Sequence, residues 1–166
     1  MQLLRTLFIH EGLIPVTARI LYVYADGASR GNPGQSSIGV VIRDQAGNLK
    51  TLSERIGIAT NNVAEYTALI RALEEIIKIP GETIHCHMDS QLVIRQVTGM
   101  YRIKNQRLYI LAQRVKFLCA QMPKRVVHFH HIDRELNSSA DALANAALDI
   151  GSRKMGSGVE TAAIDD

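Results

Sequence analysis

A chain of 166 residues with 46% hydrophobic and 21% charged side chains fits one globular domain with a real core. Its net charge of +3 is small, but the placement of that charge is uneven. Two cysteines without CxxC spacing, Cys86 and Cys119, exclude a disulfide framework and fit reduced thiols in a cytosolic protein. The apolar run within Met1 to Arg19 is interrupted by Arg5 and closed by Glu11-Gly12. It is too short for a membrane anchor and has no clear secretion-signal cleavage site. Residues 1–19 are therefore an N-terminal extension of unknown role: an edge strand, a dangling segment or the product of an upstream start codon.

Ile20 to Ala25 reads as a buried strand that delivers Asp26 into Gly27-Ala28-Ser29-Arg30-Gly31-Asn32-Pro33-Gly34. The glycines predict an open loop with uncovered backbone N–H groups, beside which a carboxylate is placed to meet a metal ion or phosphate; an Asp-Gly turn is the competing reading. Strands over Ser37–Arg43 and Leu49–Ile58, joined at Gly47-Asn48, complete an antiparallel meander. The period then changes, with Tyr66, Leu69, Ile70, Leu73, Ile76 and Ile77 on one face of a helix ending near Lys78 before Pro80-Gly81.

Thr83–Met88 is the next strand, with His85 and His87 on the face opposite Ile84, Cys86 and Met88. Asp89-Ser90 leads into a short helix from Gln91 to Thr98, and a longer helix capped by Asn105 runs to Pro123. From Arg95 to Arg125 the chain carries Arg95, Arg102, Lys104, Arg107, Arg114, Lys116, Lys124 and Arg125, and no Asp or Glu. Such a run suits a nucleic acid and is also what a solvated helix face looks like. Arg125–His131 is a last strand and Ser138–Leu148 a last helix; from Gly151 the composition predicts a frayed, disordered tail over 151–166.

The order β-β-β-α-β-α-α-β-α predicts an α/β fold: a five-stranded mixed sheet, three strands antiparallel and the later ones parallel, flanked by helices in a single domain over residues 20–150. Asp26, Glu65, Asp89 and Asp141 then share one sheet edge. Each has a bland alternative: a turn for Asp26, capping boxes for Asn62-Val63-Ala64-Glu65 and Ser138-Ser139-Ala140-Asp141, and an N-cap role for Asp89. Four converging carboxylates need cations between them. Oxygen-only ligands suit Mg²⁺ or Mn²⁺, and a pair of ions about 4 Å apart clamps the attacking and leaving oxygens in phosphodiester cleavage.

Asp26 to Gly34, Thr60 to Glu65, Asp89-Ser90-Gln91-Leu92-Val93 and Asn137 to Ala144 resemble, in order, the successive signatures of type 1 ribonuclease H. The resemblance implies a two-metal endonuclease that cuts the RNA strand of an RNA/DNA hybrid, leaving 5′-phosphate and 3′-hydroxyl ends. By position, Asp26, Glu65, Asp89 and Asp141 would hold two Mg²⁺, with Mn²⁺ as a substitute. Asn32, Asn61, Asn62 and Gln91 match positions that touch the hybrid's minor groove, and Thr60 one that holds a DNA-strand phosphate; Gly27 and Ser29 belong to the same substrate-binding set. No membrane or protein partner is implied, and the expected state is a monomer in the cytoplasm.

The chain departs from better-known bacterial members in two places. The segment from His130 to Asn137 is closer to a subgroup reading H-x-x-R-E-x-N-x-x-A-D, and His131 keeps the usual offset from Asp141. His131 serves in proton transfer or product release, or it is a strand-end residue and Glu135 or Arg134 acts near the site. Little sequence separates Thr98 from Asn105, so the basic helical protrusion of other members is absent and hybrid binding rests on Arg102, Lys104 and Arg107. Three rivals remain: a zinc hydrolase using His85-Cys86-His87-Met88-Asp89 with His128, His130 and His131, a non-catalytic hybrid- or RNA-binding module, and a resolvase- or integrase-like nuclease.

Overall fold

A computed structural model of the chain describes residues 18–155; most of the expected extension over 1–19 and of the expected tail over 151–166 lies outside the described residues, but 151–155, expected to be frayed, are helical. Branched and aromatic residues make β1 (Ile20–Gly31) a strand: Leu21, Val23 and Ala25 are fully buried on one face, while Ile20, Tyr22 and Tyr24 are partly exposed on the other. The strand does not stop at Ala25. β2 (Gly34–Arg43) begins before the expected Ser37, so Gly27, Ala28, Ser29 and Arg30 pair with Ile38, Ser37, Ser36 and Gln35. Small residues that read as a loop instead form the end of a hairpin, turned at Asn32-Pro33, and Gly31 takes the left-handed φ of 109° there. Asp26 is consequently within a strand, opposite Gly39, rather than at a strand end.

β3 (Asn48–Ala59) returns antiparallel to β2. α1 (Asn61–Ile76) then begins earlier than a capping box at Asn62 would allow. Its N-cap is Thr60, whose hydroxyl accepts from the Val63 N–H at 3.3 Å. β4 (Thr83–Met88) follows, and α2 (Gln91–Val97) is capped by Ser90, not Asp89. α3 (Gln106–Ala120) is capped by Asn105 as its sequence predicts, with the side-chain oxygen accepting from the Leu108 N–H at 3.1 Å. After β5 (Val126–His131) comes a 3₁₀ turn, Arg134–Asn137, and then α4 (Ser138–Met155), which extends past the expected end at Leu148.

The sheet order is β3-β2-β1-β4-β5, with β1, β2 and β3 antiparallel and β4 and β5 parallel to β1, the mixed α/β arrangement that the element order predicts. On one face Leu21, Val23, Ile38, Val40, Ile84, Cys86 and Met88 meet Leu69, Leu73 and Ile76 of α1 in the core, with α3 packed behind. On the other, α4 lies across β1, β2 and β3. Ser37 donates its hydroxyl to the Ala144 carbonyl there, and a Cβ on Gly39 would come within 2.0 Å of the Ala140 oxygen. Both faces of the central strands are therefore covered where Asp26 sits. Among the described residues no helix is long and apolar enough to cross a membrane.

Candidate metal centre

Asp26, Glu65 and Asp89 come together, with one oxygen of each lying within 4.8 Å of the others. Asp26 is fixed by the β1–β2 register and is 5% exposed. Glu65, also 5% exposed, lies in the second turn of α1, so it is not an answer to the N-cap. Its Oε2 accepts instead from the Gly27 N–H at 3.1 Å. Glycine is needed at position 27, because a Cβ would stand 2.3 Å from the backbone of Ala64 and Glu65 and hold the helix away.

Asp89 follows β4 and is held by Asn137, whose Nδ2 donates both to Asp89 Oδ1 at 2.8 Å and to the Ala25 carbonyl at 3.0 Å. One side chain thus ties the site edge of β1 to the carboxylate after β4. Asn137 is 1% exposed, and its own Oδ1 has no partner. Its sequence signal is faint: the asparagine of R-E-x-N-x-x-A-D, four residues before Asp141.

Asp141, in the first turn of α4, stands apart from this trio and accepts from Arg134 Nη2 at 3.2 Å. It is still close enough to act on Asp26. Burial, then the charges of Asp89 and Asp141, push the Asp26 carboxyl up to about 7. Burial and the charges of Asp26 and Asp89 hold Glu65 well above the usual carboxylate range, with the Gly27 N–H opposing. The Arg134 guanidinium lowers both in part. Three mutually repelling, desolvated carboxylates are costly without a counter-charge, and an all-oxygen donor set matches a hard divalent cation.

The expected substrate-binding residues fall into two groups. Asn32 Oδ1 accepts from the Asn61 N–H at 3.0 Å, which joins the β1–β2 turn to the start of α1, where Thr60 and Asn62 also lie. Ser29 supports this junction by donating to the Ala59 carbonyl at 3.1 Å. Gln91 is the exposed first residue of α2, next to Asp89 in sequence. His131 is the exposed last residue of β5, paired in register with Met88. No hydrogen bond links it to the acids among the described residues.

The zinc-hydrolase ligand set is divided by the fold. His85, His87, His128 and His130 share one face of β4 and β5, alternation puts His131 on the other, and Asp89 belongs to the carboxylate trio. Of the basic residues, Arg114 pairs with Glu74 and Arg125 donates to the Ile76 carbonyl, whereas Arg102, Lys104 and Arg107 are exposed around the start of α3.

A family model described as reverse transcriptase-like matches residues 24–147. Ribonuclease H of Thiobacillus denitrificans is 43% identical over 150 residues, covering 80% of this chain and 96% of that protein. A bifunctional protein of Mycobacterium tuberculosis is 35% identical over 144 residues, 86% of this chain but 39% of its own length. The chain thus spans well under half of the mycobacterial relatives it matches. Among solved structures, LC11-RNase H1 in complex with an RNA/DNA hybrid superposes with a TM-score of 0.70 at 40% identity, covering 79% of this chain and 98% of that one.

Proposed function

This chain belongs to the ribonuclease H family, and on that premise we propose that it hydrolyses the RNA strand of RNA/DNA hybrids, leaving 5′-phosphate and 3′-hydroxyl ends. The observation that carries the reading is the buried trio Asp26, Glu65 and Asp89, three oxygen donors within 4.8 Å of one another. With Asp141 beside them, these residues would hold two Mg²⁺, or Mn²⁺ in substitution. When bound, the ions supply the positive charge that favours the attacking and leaving oxygens of an in-line displacement.

The protein's own groups prepare that arrangement. The Gly27 N–H orients Glu65, Asn137 orients Asp89, and Arg134 restrains Asp141 while limiting the net negative charge. His131 would move a proton or assist product release from the end of β5. Asn32, Asn61, Asn62 and Gln91 would read 2′-hydroxyls in the minor groove, with Thr60 holding a DNA-strand phosphate and Gly27 and Ser29 completing that surface. Exposed Arg102, Lys104 and Arg107 would track the backbone. The relative bound to a hybrid supports this substrate class. We assign residues 20–150 to the catalytic domain of a cytosolic monomer, a setting that the two free cysteines suit.

End-labelled RNA/DNA hybrid, duplex DNA and duplex RNA, each incubated with Mg²⁺ and wild-type or Asp89→Asn protein, test the reading. Cleavage confined to the hybridised RNA is expected, lower by more than about 100-fold in the variant. Hybrid that is bound but uncut in Mg²⁺ and in Mn²⁺ would sink the proposal and leave a binding module.

A further inference from the structure

Helix α3 is apolar on two sides. Leu108, Ala112, Val115 and Leu118 are buried where the helix packs on α1. On the outer side Gln106, Tyr109, Ile110, Gln113, Phe117 and Ala120 recur at intervals of three and four, and all six are exposed. Tyr109, Ile110 and Phe117 keep 47%, 58% and 53% of their surface open to solvent. At 3.6 residues per turn the six fall within about 100° of arc, the width of a packing face, and none of them is charged. Arg107 and Arg114 border the stripe on one side and Lys116 on the other. Arg114, paired with Glu74, lies over the Phe117 ring 5.3 Å from its centroid and forms one wall. Apolar side chains in the middle with charges at the margins make a face built to be covered, whereas a solvated face carries its charges throughout.

The start of the described chain lies near the foot of this helix. The Arg19 carbonyl accepts from the Glu82 N–H at 3.0 Å, and the Glu82 carbonyl accepts from the Val126 N–H at 2.9 Å. Arg19 is therefore two strand spacings, about 10 Å, from Val126, which follows closely on the end of α3 at Ala120. Ala18, beside it, is exposed. Ahead of it lie residues 1–17, in which Leu3, Leu4, Leu7, Phe8 and Ile9 cluster and only Arg5 between them is charged. The stripe from Gln106 to Ala120 is about 21 Å long, and a stretch the length of residues 1–17 covers about 25 Å even when wound as a helix.

We infer that the outer stripe of α3 is the seat of this chain's own segment Leu3–Ile9, which packs against Tyr109, Ile110 and Phe117. Other occupants fit less well. Nucleic-acid phosphates call for cations where the stripe offers apolar side chains. A second copy laid along the same face would bring two sets of Arg107, Arg114 and Lys116 together, in a stretch with no Asp or Glu to offset them. A separate protein must overcome the entropy of association, whereas a tethered segment meets the stripe at an effective concentration on the order of millimolar. The docking holds whether or not the protein cuts hybrids.

The chain has no tryptophan, so Phe8→Trp gives the full-length protein a single indole within the segment. Emission blue-shifted from that of N-acetyltryptophanamide, with weaker quenching by acrylamide, is expected. Adding Ile110→Ser and Phe117→Ser, at exposed positions where the core is untouched, should return both readings to the free-indole values, while Ile58→Ser on β3 should alter neither. In the chain with its native Phe8, Leu7→Ser should shift the methyl resonances of Ile110 and leave those of buried Ile84 in place. An indole as exposed as the free one would overturn the proposal. So would a blue shift that survives Ile110→Ser with Phe117→Ser, which puts the segment elsewhere, as on the open edge of β5, or one that fades on dilution, which marks a second copy.

Discussion

Asp26 bears a heavy electrostatic load at the site, since burial and two neighbouring carboxylates all oppose its charge. Its folded value of about 7 lies above the 3.8 of an unfolded carboxyl, so the folded state holds the proton more tightly. The associated stability is fully present below pH 3.8 and is lost as pH rises through about 7, on the order of 4 kcal/mol. Asn at this position mimics the protonated acid. In chelator, Asp26→Asn should melt above wild type at pH 8, with the gap opening between pH 4 and 7 and flat beyond; Mg²⁺ should raise the wild-type Tm at pH 8 and barely move the variant's. A gap independent of pH would mean that the carboxylate is not strained.

The four acids were legible as residues at related addresses, and the family resemblance implied that they are ligands, but spacing alone did not separate ligands from caps or a turn, because these tasks use the same side chains. Geometry separates them: Thr60 and Ser90 do the capping, which frees Glu65 and Asp89. Asn137 escaped because a buried amide bridging two strands leaves no periodic trace in sequence.

Elements position the site through two close approaches. Gly27 lets α1 descend on β1, and Gly39 lets α4 descend on β2. Glycine in a strand is ordinarily read as a breaker, which is why Gly27 to Gly34 looks like an open loop in sequence although it forms a hairpin end. Here it marks where another backbone comes near. Gly39→Ala would set its methyl 2.0 Å from the Ala140 oxygen, so α4 must move and carry Asp141 with it. The expected cost is about 1–3 kcal/mol in urea unfolding, with a loss of cleavage rate that persists under conditions where the variant is fully folded. Full activity in the folded variant would show that the position of α4 is immaterial to the chemistry.

At the scale of the molecule, the mixed sheet followed from element order alone, because a strand-helix-strand crossover must be parallel. The basic stretch was harder to weigh: a run of positive residues looks the same whether it binds an anion or neighbouring acids. The fold divides it, committing Arg114 and Arg125 to internal partners and leaving Arg102, Lys104 and Arg107 on the surface near the start of α3. Replacing these three with alanine in an Asp89→Asn background should flatten the dependence of log K for hybrid on log salt by about 2–3, since each neutralised phosphate contributes roughly one unit. An unchanged slope would place the hybrid elsewhere on the surface.

β1 is joined on one side by β2, close in sequence, and on the other by β4, which begins only at Thr83. During synthesis the meander can close as soon as β3 has emerged, while the opposite edge of β1 must wait for the whole of α1 and the start of β4. At about 5–20 residues per second that interval lasts seconds, during which the apolar strand from Ile20 to Ala25 presents unpaired N–H and C=O groups to every neighbouring nascent chain. The arrangement that centres the carboxylates therefore makes the yield of folded protein sensitive to ribosome pausing between Gly31 and Thr83.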